Sequence, residues 1–444
     1  MKNKPAFMIA APKSGSGKTI ITLALLSALK KKGMDPVSFK CGPDYIDPMF
    51  HKKVLSIPSR NLDIFLMGEE NVKRSFFGRD TRDNEIALIE GVMGLYDGLG
   101  GVDTYASTYH VAELLGIPIV LVLDGKGSGR TIISVIKGIL SDDKEKLIRG
   151  IILNRVGASM YERLKPLIEE ECKIEAMGYV PESPGFYIES RHLGLYTADE
   201  IKDMDALIDE AGEMVSETVS IGRLCEIATE CAYSDHEIST IDAPVFKRFD
   251  DKRIAVARDE AFCFIYEDNI DFLKTRGADI LYFSPIHDKE LPGNLDGVVI
   301  FGGYPELYAE KLSENVSMRV SIKEAFKRGL PFYAECGGFM YLQDRLISLD
   351  GKEFDMCGCI RGISKYKGKL VRFGYGYMNY SDHRFPIHEF HYYDSDNNGD
   401  SALIEKTMGS RKYQSTIIDD RHYLGFPHLF FNSADRFIEG LFGF

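Results

Sequence analysis

The sequence predicts an α/β protein of two domains, each a parallel sheet covered by helices, and three observations carry that prediction. Short runs that are apolar throughout alternate with segments of helical periodicity, which is how strands buried on both faces and their crossover helices read. The pattern holds to about residue 185 and restarts near residue 251, beyond a polar and poorly periodic stretch. The first strand-like run leads directly into a glycine-rich turn and then a helical segment, the order of a phosphate-binding loop.

The elements follow in turn. "AFMIAA" is a strand, "TIITLALLSALKKKG" its helix, and "PVSF", "EIALIEGV", "PIVLVLD" and "GIILNRV" are further strands, with "TYHVAELLG" a helix among them. Residues 198–232 read as one or two helices that complete a doubly wound domain over 1–232. Residues 233–250, from "YSDHEISTIDAPVFKRFDDK", are polar, contain a proline and read as a linker. "RIAVARD", "ADILYFSP", "GVVIFGG" and "LPFYAE" then restart the strand pattern, and a second α/β domain fills 251–444. "GGFMYLQDRL" has helical character. "HEFHYY" alternates as a strand does, which sends His388 and His391 to opposite faces and argues against a metal pair there.

Composition excludes several classes of function. The 444 residues are 44% hydrophobic and 27% charged, as in ordinary globular proteins, and no apolar run is long enough to cross a membrane. A net charge of −13 argues against nucleic acid and anionic membranes as partners, so an anionic substrate needs a local basic pocket. The start shows no cleavage site ahead of the glycine-rich turn, and the eight scattered cysteines read as reduced, so the chain is expected in the cytoplasm. Cys357 and Cys359 lack a matching second pair and read as small buried residues.

The glycine-rich turn is "APKSGSGKT", Ala11–Thr19. Backbone N–H groups of Ser14, Gly15, Ser16 and Gly17 are expected to cradle a polyphosphate, Lys18 to add a point charge and Thr19 to ligate magnesium. Pro12 stands where the usual first glycine would be, and Lys13 reads as a solvated loop charge. Acidic groups follow the next strands: Asp44 and Asp47 in "KCGPDYIDPMFH", Glu90 and Asp97 in "IEGVMGLYDG". The carboxyl ends of parallel strands share one crevice, so these groups can converge there. Asp44 and Glu90 are expected to hold the metal with Thr19, while Asp47 and Asp97 are assigned to substrate or coupling.

A second site is spelled by two strands that each end in a glycine pair. "PFYAECGG" puts Cys336 between a strand and a helical segment, the sharp turn that projects a nucleophile above a sheet. "GVVIFGG" ends on Gly302 and Gly303, whose amides could form an oxyanion hole. His428 in "LGFPHLFF" is the candidate base.

These residues resemble a family. "SGSGKT", "KCGPDYIDPMFH", "PSRNLD", "EGVMGLYDG", "ILNRVG", "ESRHLGL", "FGGYPELY", "AECGGFMYL" and "HEFHYY" recur in this order in the cobyrinate a,c-diamide synthases, glutamine-dependent amidases of the cobalamin pathway. The resemblance implies a dethiobiotin-synthetase-like ATP domain followed by a class I glutamine amidotransferase-like domain. It implies ATP-dependent amidation of the c and a carboxylates of a corrin, with magnesium, and with ammonia from glutamine. Carried over, Cys336 is the glutaminase nucleophile and His428 its partner. Lys40, Tyr45, Asp47, Arg60, Asp97, Arg191 and His192 fall in matching motifs and are candidates for substrate contact or coupling, though the cations among them read equally as structural or solvated charges. The partners implied are small molecules: a tetrapyrrole polycarboxylate, ATP and glutamine, with a homodimer compatible.

Two departures stand out. Many class I glutaminases place a glutamate two residues after the histidine, where this chain has Phe430, so a Cys–His dyad is expected rather than a triad. In "GYGYMNY", Gly376 stands where relatives tend to carry an arginine. The alternatives are a nickel-sirohydrochlorin a,c-diamide synthase and, from another class, a ParA-like nucleotide switch with a degenerate second domain. Cobyric acid synthase fits less well, because that relative has a "QNM" motif where this chain has "GPDYIDP".

Overall fold

Strands that are apolar on both faces must be covered on both, and the computed structural model has that arrangement. It describes residues 4–78, 82–183, 190–191, 194–195, 204–230 and 252–443. The chain divides into two compact units, 1–242 and 243–444. The linker expected at 233–250, His192 and the side chain of Arg191 lie outside the described residues.

The first unit holds seven parallel strands: β1 (Ala6–Ala10), β2 (Asp35–Cys41), β3 (Ser59–Leu62), β4 (Glu85–Glu90), β5 (Ile119–Asp124), β6 (Ile148–Asn154) and β7 (Glu175–Val180). Their order is β3-β2-β4-β1-β5-β6-β7. Every residue of β1 is fully buried, as its central position requires. Helix α1 (Lys18–Lys31) leaves the turn after β1, and α2 (Ile46–Leu55) follows β2. The helix Met204–Thr218 packs on α1 at Gly212, where a Cβ would come within 2.6 Å of Ser27 Oγ. β3 is absent from the apolar pattern because it reads "SRNL". Its polar groups are satisfied inside, with Asn61 Nδ2 donating to the carbonyls of Gly42 and Asp44 at 3.0 and 2.6 Å. No helix among the described residues is long and apolar enough to cross a membrane.

The second unit is built on a six-stranded sheet. Its strands are β8 (Arg253–Ala257), β9 (Asp279–Phe283), β10 (Gly297–Ile300), β11 (Phe332–Glu335), and, after an insertion, β16 (Ile417–Ile418) and β17 (His422–Gly425). The order is β9-β8-β10-β11-β17-β16, parallel except for β16. The insertion contributes β12 (Arg372–Tyr380), β13 (His383–His391), β14 (Ala402–Lys406) and β15 (Lys412–Ser415), which join β18 (His428–Leu429) in an antiparallel sheet of order β15-β14-β12-β13-β18. The helical reading of "GGFMYLQDRL" is corrected here. The helix spans only Gly337–Leu342, Gln343 turns extended at ψ −179°, and Arg345–Ile347 is a strand. "HEFHYY" does begin on a strand. His391 Nδ1 meets the Tyr393 carbonyl at 2.6 Å and its ring stacks on Phe426, whereas His388 pairs across to β18.

Candidate active site

The turn after β1 and the amino end of α1 form the first half of the site. Gly15 and Gly17 have φ of +77° and +95°, left-handed values that side chains resist. A Cβ at Gly17 would also lie 2.2 Å from Asn154 Nδ2, which donates to the Ser16 carbonyl at 2.9 Å. Asn154, at the carboxyl end of β6, was not singled out from sequence, although a polar residue closing an apolar strand is a visible signal. Ser16 Oγ donates to the Lys13 carbonyl and braces the turn. Ser14, Gly15, Lys18, Thr19, Asn154 and Pro181 help line a cavity of about 930 Å³. Lys18 Nζ donates to the carbonyls of Met93, at 2.6 Å, and Lys13, at 3.3 Å. Burial first, and the nearby Lys40 second, lower the Lys18 pKa to about 8.

Adjacent strand ends bring the acidic groups together. Lys40 and Glu90 are register partners on β2 and β4. Lys40 Nζ lies 2.5 Å from Asp47, 2.9 Å from Glu90 and 3.9 Å from Asp44. Burial alone would favour the neutral amine, but these carboxylates outweigh it and raise the Lys40 pKa. Burial likewise works against ionised Glu90, yet Lys40, His51 and Thr19 hold its carboxyl well below the usual range. For Asp47, burial together with Asp44 and Glu90 prevails and pushes the carboxyl up. Thr19 Oγ1 donates to Glu90 Oε1 at 2.7 Å and lies 3.4 Å from Asp47 Oδ2. Among the described residues Glu90 Oε2 is buried without a hydrogen bond, with His51 Nε2 3.6 Å away. These are hard oxygen donors of the kind magnesium takes. Asp44, expected beside Thr19, instead accepts from the N–H groups of Ile46 and Asp47 at the start of α2, and Asp47 occupies the nearer position.

The other candidates are spread around this cluster. Asp97 Oδ2 accepts from the Gly94 N–H at 2.9 Å, closing the turn after β4. Tyr45 is buried just ahead of α2, and Arg60 lies on β3 opposite Phe39. Arg191 pairs with Gly194 in a two-stranded hairpin.

The second unit assembles the other half. Cys336 has φ +48° and ψ −108°, a strained conformation for a side-chain-bearing residue and the mark of a nucleophile elbow. Both glycine pairs are steric requirements. A Cβ at Gly302 would lie 2.8 Å from His428 Cε1, one at Gly337 would lie 3.0 Å from Gly303 N, and one at Gly338 would lie 2.0 Å from the Ile300 carbonyl. The two strand ends therefore touch backbone to backbone, and His428 packs on the floor they make.

His428 is not left without a third group, which corrects the expected dyad. Its Nδ1 lies 2.9 Å from Oε1 of Glu335, the residue immediately before the nucleophile. Glu335 is fully buried, and its Oε2 accepts from the Tyr333 hydroxyl and the Leu429 N–H. With Nδ1 so engaged, the hydrogen bond to Cys336 falls to the other ring nitrogen. Burial would lower the His428 pKa, but Glu335 and Cys336 outweigh it and raise it to about 10. Phe430, at the position where many class I glutaminases carry a glutamate, is buried and packs edge-on against Tyr266. Gly376 also points into packed protein, since a Cβ there would lie 3.0 Å from the Glu405 carbonyl.

Glu335→Gln is expected to lower the rate of glutamine hydrolysis by about 10²-fold or more, the usual scale for disturbing an acid–base partner. The direction of the pH shift follows from the charge removed. Glu335 stabilises the imidazolium, so its loss must let His428 give up its proton at lower pH, and the alkaline limb of the rate profile should move down from about 10. A rate profile unchanged in both height and pH would assign Glu335 a purely structural place.

Comparison with known proteins agrees with this division. Residues 7–195 match the family described as CobQ/CobB/MinD/ParA nucleotide binding domain, and residues 253–430 match the CobB/CobQ-like glutamine amidotransferase domain. A protein named cobyrinate a,c-diamide synthase from Clostridium tetani is 39% identical over 448 residues, covering 98% of this chain and 99% of its own length. One of the same name from Fusobacterium nucleatum is 38% identical over 459 residues, with 98% and 100% covered. Another from Clostridium acetobutylicum is 40% identical over 399 residues, 87% of each chain. An amidating ligase that joins a nucleotide-binding domain to a glutamine amidotransferase domain, the chain belongs to the cobyrinate a,c-diamide synthase family.

Proposed function

We propose that the chain converts the a and c carboxylates of cobyrinate to amides, using ATP to activate each carboxylate and glutamine as the source of ammonia. The observation that carries this reading is one chain holding both the Lys18–Thr19–Glu90 cluster and the Cys336–His428–Glu335 set. A carboxylate resists attack by ammonia until one oxygen becomes part of a leaving group. In the first unit, a substrate carboxylate oxygen attacks the γ-phosphorus of ATP, ADP departs, and an acyl phosphate results. Lys18 and the amides of Ser14–Thr19 meet the charge on the phosphates. Magnesium, held by Thr19 and Glu90 with Asp47 or Asp44 beside them, would neutralise the phosphate oxygens. Ammonia then attacks the acyl carbon, and inorganic phosphate leaves.

In the second unit, Cys336 sulfur adds to the glutamine amide carbon, and the amides of Gly302 and Gly303 are candidates to hold the oxyanion. His428 gives a proton to the leaving nitrogen. Water later cleaves the thioester to glutamate and restores the thiol.

The test uses cobyrinate with its carboxylates labelled by heavy oxygen. One labelled oxygen per amide is expected in inorganic phosphate, with ADP rising in step. Label in AMP would replace the acyl phosphate with an adenylate. Diamide formed from nickel-sirohydrochlorin and not from cobyrinate would overturn the substrate assignment.

A further inference from the structure

One buried group beside the glutaminase residues has no part in the steps above. His388 on β13 stands directly opposite His428 on β18. Opposed residues of neighbouring strands project to the same face, and these two ring centroids are 6.5 Å apart. His388 is only 7% exposed, and its Nδ1 is buried with no hydrogen-bond partner among the described residues. Native proteins rarely leave such an atom orphaned, and where they do the atom is often used. Burial, and then the charges of His428 and Lys406, lower the His388 pKa to about 3, so its ring is neutral wherever the enzyme works. On this face His388 also meets the rings of Tyr375 and Phe373, with centroids at 5.6 and 6.4 Å, and Phe373 is 59% exposed.

We propose that His388 is the receiving site for the ammonia released at Cys336, accepting an N–H of the neutral molecule on its unpaired ring nitrogen. The proposal rests on Cys336 and His428 being the glutaminase pair. As the tetrahedral adduct collapses, the proton of His428 passes to the substrate nitrogen, the C–N bond breaks with its electron pair on nitrogen, and the oxyanion electrons re-form the thioester carbonyl. Ammonia leaves uncharged, and no covalent bond forms to His388. A receiving group must offer a lone pair without offering a proton, and a buried neutral imidazole does so. Its surroundings add a second condition. Burial beside His388 disfavours a charged ammonium, so the neutral form that can attack an acyl carbon is favoured. Beyond His388 the rings of Tyr375 and Phe373 supply an apolar lining toward the surface.

The test needs no tetrapyrrole. With glutamine and hydroxylamine, the γ-glutamyl thioester on Cys336 partitions between glutamate and γ-glutamyl hydroxamate. By microscopic reversibility an amine attacks from the place that ammonia vacates. His388→Ala and His388→Phe are expected to lower the ratio of hydroxamate to glutamate several-fold, and His388→Asn, which returns an acceptor, to recover most of it. In the complete reaction the same variants should release several-fold more glutamate per amide formed. Unchanged ratios would overturn the proposal, as would glutamate and hydroxamate falling in proportion, the behaviour of a structural residue. Circular dichroism identifies any variant that does not fold; should one of the two apolar variants fail to fold, the other against His388→Asn decides, with a lower ratio in the apolar variant than in His388→Asn expected and equal ratios in the two overturning the proposal. Wild-type protein that makes neither product removes the glutaminase pair and this proposal together. Protein that makes both, yet no tetrapyrrole amide, contradicts only the substrate assignment.

Discussion

Cys336→Ser is expected to abolish amidation from glutamine, by about 10⁴-fold or more on the scale of lost nucleophiles, while amidation from concentrated ammonia survives. The asymmetry follows from where the cysteine sits. Cys336 projects from a strained turn toward His428 and belongs to a unit with its own parallel sheet and core. The phosphate-binding loop lies in the other unit. A serine hydroxyl at 336 keeps the shape of the turn, but a histidine whose imidazolium form is stabilised by Glu335 is a poor acceptor for its proton, and an alcohol is a far weaker nucleophile than a thiolate. Only the supply of ammonia is removed. Rates of amide formation with glutamine and with an ammonium salt, on the same folded protein, decide the matter. Loss of both would mean that Cys336 serves the synthetase chemistry too.

What the sequence discloses depends on whether a function is written contiguously. The phosphate-binding loop is legible because its chemistry comes from consecutive backbone amides, so glycines and Lys18 must be adjacent in sequence. The elbow at Cys336 is legible for the same reason. Glu335 is not, because its role depends on β11 lying beside β17, with Glu335 in register with Gly425 and His428 three residues further on. The clue was a carboxylate inside an otherwise apolar strand, since a fully buried glutamate has to have a partner. The place where many class I glutaminases carry a glutamate holds Phe430 instead. β3 escapes the apolar pattern because its polar side chains are satisfied by neighbouring backbone, information that exists only after folding. The exchange between Asp44 and Asp47 is of the same kind: both lie in one motif, and only the start of α2 determines which one caps and which one reaches Thr19.

Lys18→Ala is expected to abolish amidation from either nitrogen source, by about 10³-fold or more, the scale of a cation that stabilises phosphoryl transfer. The structure adds a signature that separates this role from a structural one. Lys18 is held by two carbonyls, and burial with the nearby Lys40 lowers its pKa to about 8. Phosphate oxygens favour the ammonium form, so the bound state holds Lys18 protonated to higher pH than the free state does. Binding below pH 8 then needs no proton, whereas binding above it must first charge the lysine. ATP affinity should therefore be level up to about pH 8 and fall above it, by up to about tenfold for each further unit, with proton uptake on binding. Calorimetry at pH 7 and pH 9, in buffers of different ionisation heat, measures both. The alanine variant should bind more weakly and lose this dependence, because the group that took up the proton is gone. A variant that kept both the slope and the proton uptake would assign them to another group and leave Lys18 without the contact to phosphate that its position after Gly17 implies.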